Sequence, residues 1–171
     1  DMTVYVFPTP SVDFSINDSA QCFNENNFTF TNSTTINWGN ISYIWYYGDG
    51  DTSSSINSSH TYTSDDTFYV KLLAISETGA KDSLIKTIII YPSPQPDYSI
   101  NDSQQCLNEN QFAFSNLSNI NSGNQTFTWD FGDATSSSLE NPFKTYLADD
   151  TLAVTLIAVS NLSCTDTVQK T

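Results

Sequence analysis

TWDFGDATSSS, residues 128–138, sets aromatic, acid, aromatic, glycine and aspartate directly before a run of small hydroxyl residues. Such a stretch has two readings: a carboxylate site built on Asp130 and Asp133, or the bend that ends a strand. IWYYGDGDTSSS, residues 44–55, has the same shape. A motif that occurs twice can be aligned with itself, and the step of 84 that carries Trp45 onto Trp129 holds along the whole chain. It carries Asp13 onto Asp97, Cys22 onto Cys106, Phe28 onto Phe112, Asp49 onto Asp133, Tyr62 onto Tyr146 and Val70 onto Val154. A fixed period of this kind, found before any other feature, marks tandem copies of one folding unit.

Each copy reads as strands. Apolar residues alternate with polar ones in Phe28-Thr29-Phe30, Val70-Lys71-Leu72 and Val154-Thr155-Leu156, and β-branched and aromatic residues fill the runs. Helical periodicity is absent. The expectation is an all-β chain of two tandem Ig-like sandwiches, about seven strands each. Trp45 and Trp129 belong in the cores, with Phe28, Phe30, Phe112 and Phe114 and the alternating Val70, Leu72, Ala74 and Val154, Leu156, Ala158. Tyr62 and Tyr146 precede the later strand, where a buried ring with a bonded hydroxyl forms a tyrosine corner. The offset also divides the chain. Residues 1–9 align with 85–93 and look like the last strand of a preceding repeat; residues 10–93 form repeat 1; residues 94–171 form repeat 2 with its last strand truncated. The proline-rich YPSPQP, residues 91–96, joins the two as a short, stiff linker. A longer array is implied.

Composition narrows the function. Of the 171 residues, 38% are hydrophobic and 13% aromatic, enough for packed cores. Charge is one-sided, with 19 acidic residues against 5 basic ones and a formal net charge of −14. Binding a phosphate backbone or an anionic bilayer depends on Lys and Arg displacing counterions, so nucleic acid and anionic membranes are excluded as partners. No apolar run approaches the roughly 20 residues needed to span a bilayer. The first residues lack the basic flank and apolar stretch of a signal peptide, so any such signal is expected outside this sequence.

Trp-Asp-Phe-Gly-Asp at 129–133, a Ser-rich turn, then His60-Thr61-Tyr62 or Lys144-Thr145-Tyr146 and an alternating Val/Leu strand resemble the PKD (polycystic kidney disease) domain. The likeness runs nearly end to end in both repeats. It implies an Ig-like sandwich used as a spacer or adhesive module in extracellular proteins, without catalysis. Tyr46 stands where the family's first Asp would be, and Ala134 replaces the Gly after the second. QCLNENQFAFSN with the downstream NLSCTD is similar to PKD repeats in the giant surface proteins of gliding Bacteroidetes, the SprB-like adhesins. That resemblance implies a cell-surface location, with neighbouring repeats, copies of the same protein or surface glycans as partners. The alternative is a carbohydrate-binding accessory domain of a secreted hydrolase.

Against this frame each chemical candidate has a plain reading beside it. Asp49 and Asp51, with Asp65 and Asp66, or Asp130 and Asp133, with Asp149 and Asp150, supply the oxygens Ca²⁺ needs if they converge. An Asp following Gly at a strand end more often accepts amide bonds within its own turn. The family resemblance raises the calcium reading, since some PKD-like domains bind it; no other cofactor is expected. His60 is the single histidine and its counterpart is Lys144, so no mechanism built on it operates in both repeats. No catalytic residue is assigned. Three cysteines cannot all pair: a Cys106–Cys164 disulfide is expected within repeat 2, stabilising by roughly 4 kcal/mol in the chain-entropy model. Cys22 is left as a free thiol or an intermolecular partner. If the Bacteroidetes resemblance holds, Asp-Ser/Thr followed by an aliphatic residue marks O-glycosylation at Ser19, Ser83, Thr151 and Thr167. A sugar-binding platform needs exposed aligned rings, and Trp38, Tyr43, Tyr46 and Tyr47 form the one candidate cluster. Finally, a truncated last strand leaves an open sheet edge, while TVYVF, residues 3–7, is a strand without a sheet. Donation of that strand to the next copy would build a head-to-tail filament; the alternative is that the phase is only a boundary.

Overall fold

The computed structural model describes residues 2–170, and no helix occurs among them. The chain divides into two units, Asp1–Tyr91 and Pro92–Thr171. In the first lie β1 (Phe14–Ile16), β2 (Ala20–Cys22), β3 (Phe28–Asn32), β4 (Ile41–Tyr46), β5 (Thr52–Ser53), β6 (Ser58–His60), β7 (Thr67–Ser76) and β8 (Lys81–Tyr91). The second contains β9 (Tyr98–Ile100), β10 (Phe112–Asn116), β11 (Gln125–Asp130), β12 (Ser136–Ser137), β13 (Phe143–Lys144), β14 (Val154–Ser160) and β15 (Thr165–Lys170). Eight strands and seven are thus described, where about seven in each were expected.

Each unit is a sandwich of two sheets. The first stacks β1-β3-β6 on β2-β8-β7-β4-β5; the second stacks β13-β10-β9 on β12-β11-β14-β15. Strict alternation along β7 sends Phe68, Val70, Leu72, Ala74 and Ser76 to the inner face and leaves the intervening residues wetter. Facing them from the other sheet are Phe14, Phe28 and Phe30, all at most 1% exposed. Withdrawing a Leu, Val or Phe side chain from water this fully contributes about 1.5–3 kcal/mol each. Trp45 and Trp129, both 0% exposed, fill the centres. Each donates its indole N–H to a loop carbonyl, Ser55 at 3.0 Å and Leu139 at 2.9 Å, so no polar atom of the ring is stranded in the core.

The two units part company along one edge. In the first, β8 runs past Lys86 and pairs on both sides: antiparallel with the start of β7 (Thr67 with Ile89, Phe68 with Ile88) and parallel with β2 (Ala20 with Ile89, Cys22 with Tyr91). In the second, β15 is described to Lys170, the counterpart of Lys86. Two further differences lie beside it. Residues 104–106, counterparts of β2, form no strand, and β14 starts at Val154, the counterpart of Val70, although β7 starts at Thr67.

Two expectations need correction. Cys106 lies in that irregular segment as a free, exposed thiol, so it makes no disulfide with Cys164. Cys22, expected to be the free thiol, is disulfide-bonded, and so is Cys164. Because Cys22 and Cys106 occupy one repeat position, the sequence alone did not say which is oxidised; Cys164 is wholly buried, whereas Cys106 faces solvent. Residues 2–9, which resemble a last strand, form none here, and Met2, Val4, Tyr5, Val6 and Phe7 are exposed. Asp1 and Thr171 lie outside the described residues.

Candidate functional site

The opening motif resolves into a turn held from several sides. Gly48 and Gly132 have φ of 95° and 78°, in the left-handed region. A Cβ on Gly132 would lie 2.7 Å from the Ala153 carbonyl oxygen, and one on Gly48 would lie 3.1 Å from the Tyr69 nitrogen. Only glycine fits where this bend passes the neighbouring strand. The next residue is the aspartate. Asp49 Oδ1 accepts the Asp51 amide at 3.1 Å, and Asp133 Oδ1 accepts the Thr135 amide at 3.1 Å, closing an Asx turn. Across the turn, His60 Nε2 sits 2.6 Å from Asp49, and Lys144 Nζ sits 2.6 Å from Asp133. Burial pushes both carboxyls up, but the hydrogen bond from His60 or Lys144, together with the turn amide, outweighs it; both lie below the ordinary aspartate value.

Behind the turn stands the tyrosine corner. Tyr62 O–H donates to the Tyr47 carbonyl at 2.9 Å, and Tyr146 O–H to the Phe131 carbonyl at 3.0 Å. Burial, then the neighbouring Asp49, raises the Tyr62 phenol far above its usual range; Tyr146 is pushed up to about 12, again chiefly by burial. Tyr62 is 2% exposed, whereas Tyr146 is only half-buried. His60 stacks flat on Tyr47, with centroids 4.0 Å apart. Sequence reasoning missed one pair of residues in this assembly. Asn26 and Asn110 are 4% and 5% exposed, and each clasps the tyrosine backbone with both ends of its amide. Asn26 Oδ1 accepts the Tyr62 amide at 2.9 Å and its Nδ2 donates to the Tyr62 carbonyl at 3.0 Å, while Asn110 does the same to Tyr146 at 2.8 Å and 2.8 Å. The repeated Asn-Glu-Asn at 24–26 and 108–110 was the available signal.

Of the acidic residues considered for calcium, Asp49 and Asp51 come together with His60 so that one ligand atom from each lies within 4.8 Å of the others. The donor set does not suit calcium, which takes 6–8 oxygen ligands, whereas imidazole suits transition metals. At the same place in the second unit the Lys144 ammonium already occupies the side of Asp133 that a cation would approach. Asp130 is turned to the Gly132 amide at 3.0 Å and serves the bend. The aromatic candidates do not align either. Tyr47 is core, Tyr43 is half-buried, Tyr46 and Trp38 are exposed at 38% and 51%, and Trp38 packs edge-on against Phe7. Ser19, Ser83, Thr151 and Thr167 are all exposed. In three of these pairs the preceding Asp82, Asp150 or Asp166 accepts the amide of the hydroxyl residue itself, a local reason for Asp-Ser/Thr to recur.

A groove of about 780 Å³ lies in the second unit beside residues 103–105, which align with residues 19–21 of the first. Ile100, Leu107, Phe112, Tyr146, Leu152 and Val154 give it an apolar floor, and Ser103 and Asp150 stand on its walls.

A family model for the PKD domain matches residues 8–90 and again residues 92–171. The chain belongs to the PKD domain family. Among solved structures, the PKD1 domain of Vibrio anguillarum Epp is similar at 23% identity, covering 48% of this chain and 93% of that one with a TM-score of 0.42. The PKD1 domain of the Vibrio cholerae metalloprotease PrtV is 23% identical, covering 50% of this chain and 98% of that one at a TM-score of 0.40. A structure titled for carbohydrate-binding modules of the β-sandwich superfamily covers 94% of this chain and 83% of that one, at 13% identity and a TM-score of 0.45. No curated protein matches. A tandem PKD pair is a non-catalytic module of the extracellular type, and its motif residues here hold turns and corners in place.

Proposed function

We propose that this PKD pair is a spacer and adhesive segment of a long exported cell-surface protein. One observation carries the reading: the two units share the residues that build the sandwich and differ in those that could do chemistry. Trp45 and Trp129, Tyr62 and Tyr146, and Asn26 and Asn110 make matching contacts. The cluster with the look of a site, Asp49 with His60, is answered by a Lys144–Asp133 ion pair. A histidine and a lysine exchange freely when the role is to brace a turn, and not when it is to shuttle a proton or ligate a metal. The acidic surface keeps adjacent repeats soluble and apart. Exposed Ser19, Ser83, Thr151 and Thr167 are available to O-glycosylation, which would suit a surface array.

Antibody labelling of intact source cells tests this reading. Surface signal that disappears on protease shaving supports it; signal found only after lysis overturns it. The competing assignment, a carbohydrate-binding accessory domain, predicts that some oligosaccharide in a soluble panel raises the melting temperature and that Trp38→Ala abolishes the rise.

A further inference from the structure

The outer face of the larger sheet in the first unit is unlike its counterpart in the second. Alternation turns Leu84, Lys86 and Ile88 of β8 toward the core, so Ser83, Ile85 and Thr87 face outward, as do Tyr69, Lys71, Leu73 and Ile75 of β7. The register sets Tyr46 of β4 beside Lys71, and Lys71 beside Ile85, in one row across the sheet. Tyr69 lies in the next row, and Lys81 two rows the other way, beside Ile75. Lys71 Nζ stands 5.6 Å from the centre of the Tyr46 ring. Tyr69, Ile85 and Tyr46 are 63%, 56% and 38% exposed. Rings and apolar side chains gathered on one face in water, and not scattered singly, mark a surface that meets a partner. Charge says which kind. The chain carries 19 acidic residues, yet no outward-facing residue of β4, β7 or β8 is one of them; Asp82 turns inward to accept the Val12 amide at 2.9 Å. Of the five lysines, Lys86, Lys144 and Lys170 are each paired with an aspartate. Lys71 and Lys81 make no ion pair among the described residues, and both stand on this face. In the second unit Tyr46, Tyr69, Lys71, Lys81 and Ile85 give way to Asp130, Ala153, Thr155, Thr165 and Gln169, so rings, apolar surface and cations are lost together.

We infer that this face binds a sparsely charged acidic polysaccharide. The Tyr46 and Tyr69 rings lie against the apolar faces of sugar rings, while Lys71 and Lys81 take carboxylates on separate sugars. Strand dimensions put the two lysine positions about 14 Å apart, which suits a chain whose carboxylates are more than one ring apart. A nucleic acid duplex, with a charge every ~1.7 Å, needs many more cations than this face holds. Carboxylates elsewhere on the protein are screened beyond a Debye length of about 8 Å at physiological salt, so they do not cancel two lysines that touch the ligand. Ser42, Ser83 and Thr87, in the rows beside the rings, offer hydroxyls to those of the sugar. This ligand rests on the reading of the chain as an adhesive segment, and it names what the first unit adheres to.

Isothermal titration calorimetry on the full chain tests the proposal, with hyaluronan and glucuronoxylan oligosaccharides as acidic probes and carboxyl-reduced hyaluronan as the neutral one. Saturable binding of at least one acidic probe is expected, weakened about tenfold in each of K71Q, K81Q and Y69A and weakened again by added salt. The neutral probe is expected to bind about tenfold more weakly than its acidic parent. Failure of both acidic probes to bind overturns the proposal, as does a neutral probe that binds equally well, or binding that K71Q and Y69A both leave unchanged. Binding lost in W38A and kept in Y69A overturns it as well, in favour of the competing assignment. Sedimentation velocity tests the other occupant: a wild-type chain that dimerises where Y69A does not gives the face to a second copy and overturns the glycan. Should Y69A melt below the wild-type chain, K71Q and K81Q decide. None of these outcomes alters the cell-surface labelling, so a failed ligand and a failed surface assignment are told apart.

Discussion

The two units carry the same motifs and differ in how fully they close. In the first, Phe28, Tyr62 and Phe68 are 0%, 2% and 9% exposed beneath the end of β8; their counterparts Phe112, Tyr146 and Leu152 are only half-buried. Two of the three positions hold the same residue type in both units. In the first unit these rings pack in one cluster with Ile88 and Ile90 of β8, which are 0% and 2% exposed.

The largest effect that would sharpen this comparison comes from Ile88→Ala, which should cost the first unit about 2–5 kcal/mol and leave the second untouched. Calorimetry would show one transition moving down while the other stays; two transitions that move together break the comparison. Smaller again is the loss of the asparagine clasp. Asn26→Ala strands two buried backbone groups, at about 1–3 kcal/mol, and Asn110→Ala should cost less because the half-open corner around Tyr146 lets water replace the lost bonds.

The turn aspartates give an effect of similar sign in both units. Their folded pKa values lie below the ordinary value, so the stabilisation they provide is present above about pH 4 and is lost as pH falls through the folded values. Asp49→Asn and Asp133→Asn should each lower the melting temperature at pH 7 and match the parent near pH 2. Adding millimolar Ca²⁺ should move neither melting transition. Least of all is Ala134→Gly: Ala134 sits at φ 63° where the first unit has Gly50, and relief of that left-handed conformation is expected to stabilise by at most about 1 kcal/mol, checked by urea unfolding.

Much of the fold was legible because the chain contains its own alignment. Alternation placed Val70, Leu72, Val154 and Leu156 inward, and the recurrence of Trp45 as Trp129 marked them as framework. The turn reading of Asp49 and Asp133 came from their place after Gly48 and Gly132 at a strand end, and the exchange of His60 for Lys144 removed any mechanism common to both repeats. What escaped was whatever depends on a partner distant in sequence. Oxidation of Cys22 in place of Cys106 was hidden because both stand in one motif position and nothing local separates them. Asn26 and Asn110 were hidden because a buried asparagine reads like any polar residue until the backbone it clasps, 36 residues away, is known.

Amide hydrogen exchange resolved to residues 67–69 and 151–153 measures the central asymmetry at the place where it arises. The account predicts slow exchange in the first segment, which pairs with β8, and fast exchange in the second, which lies outside β14. Equal protection of both segments would contradict it.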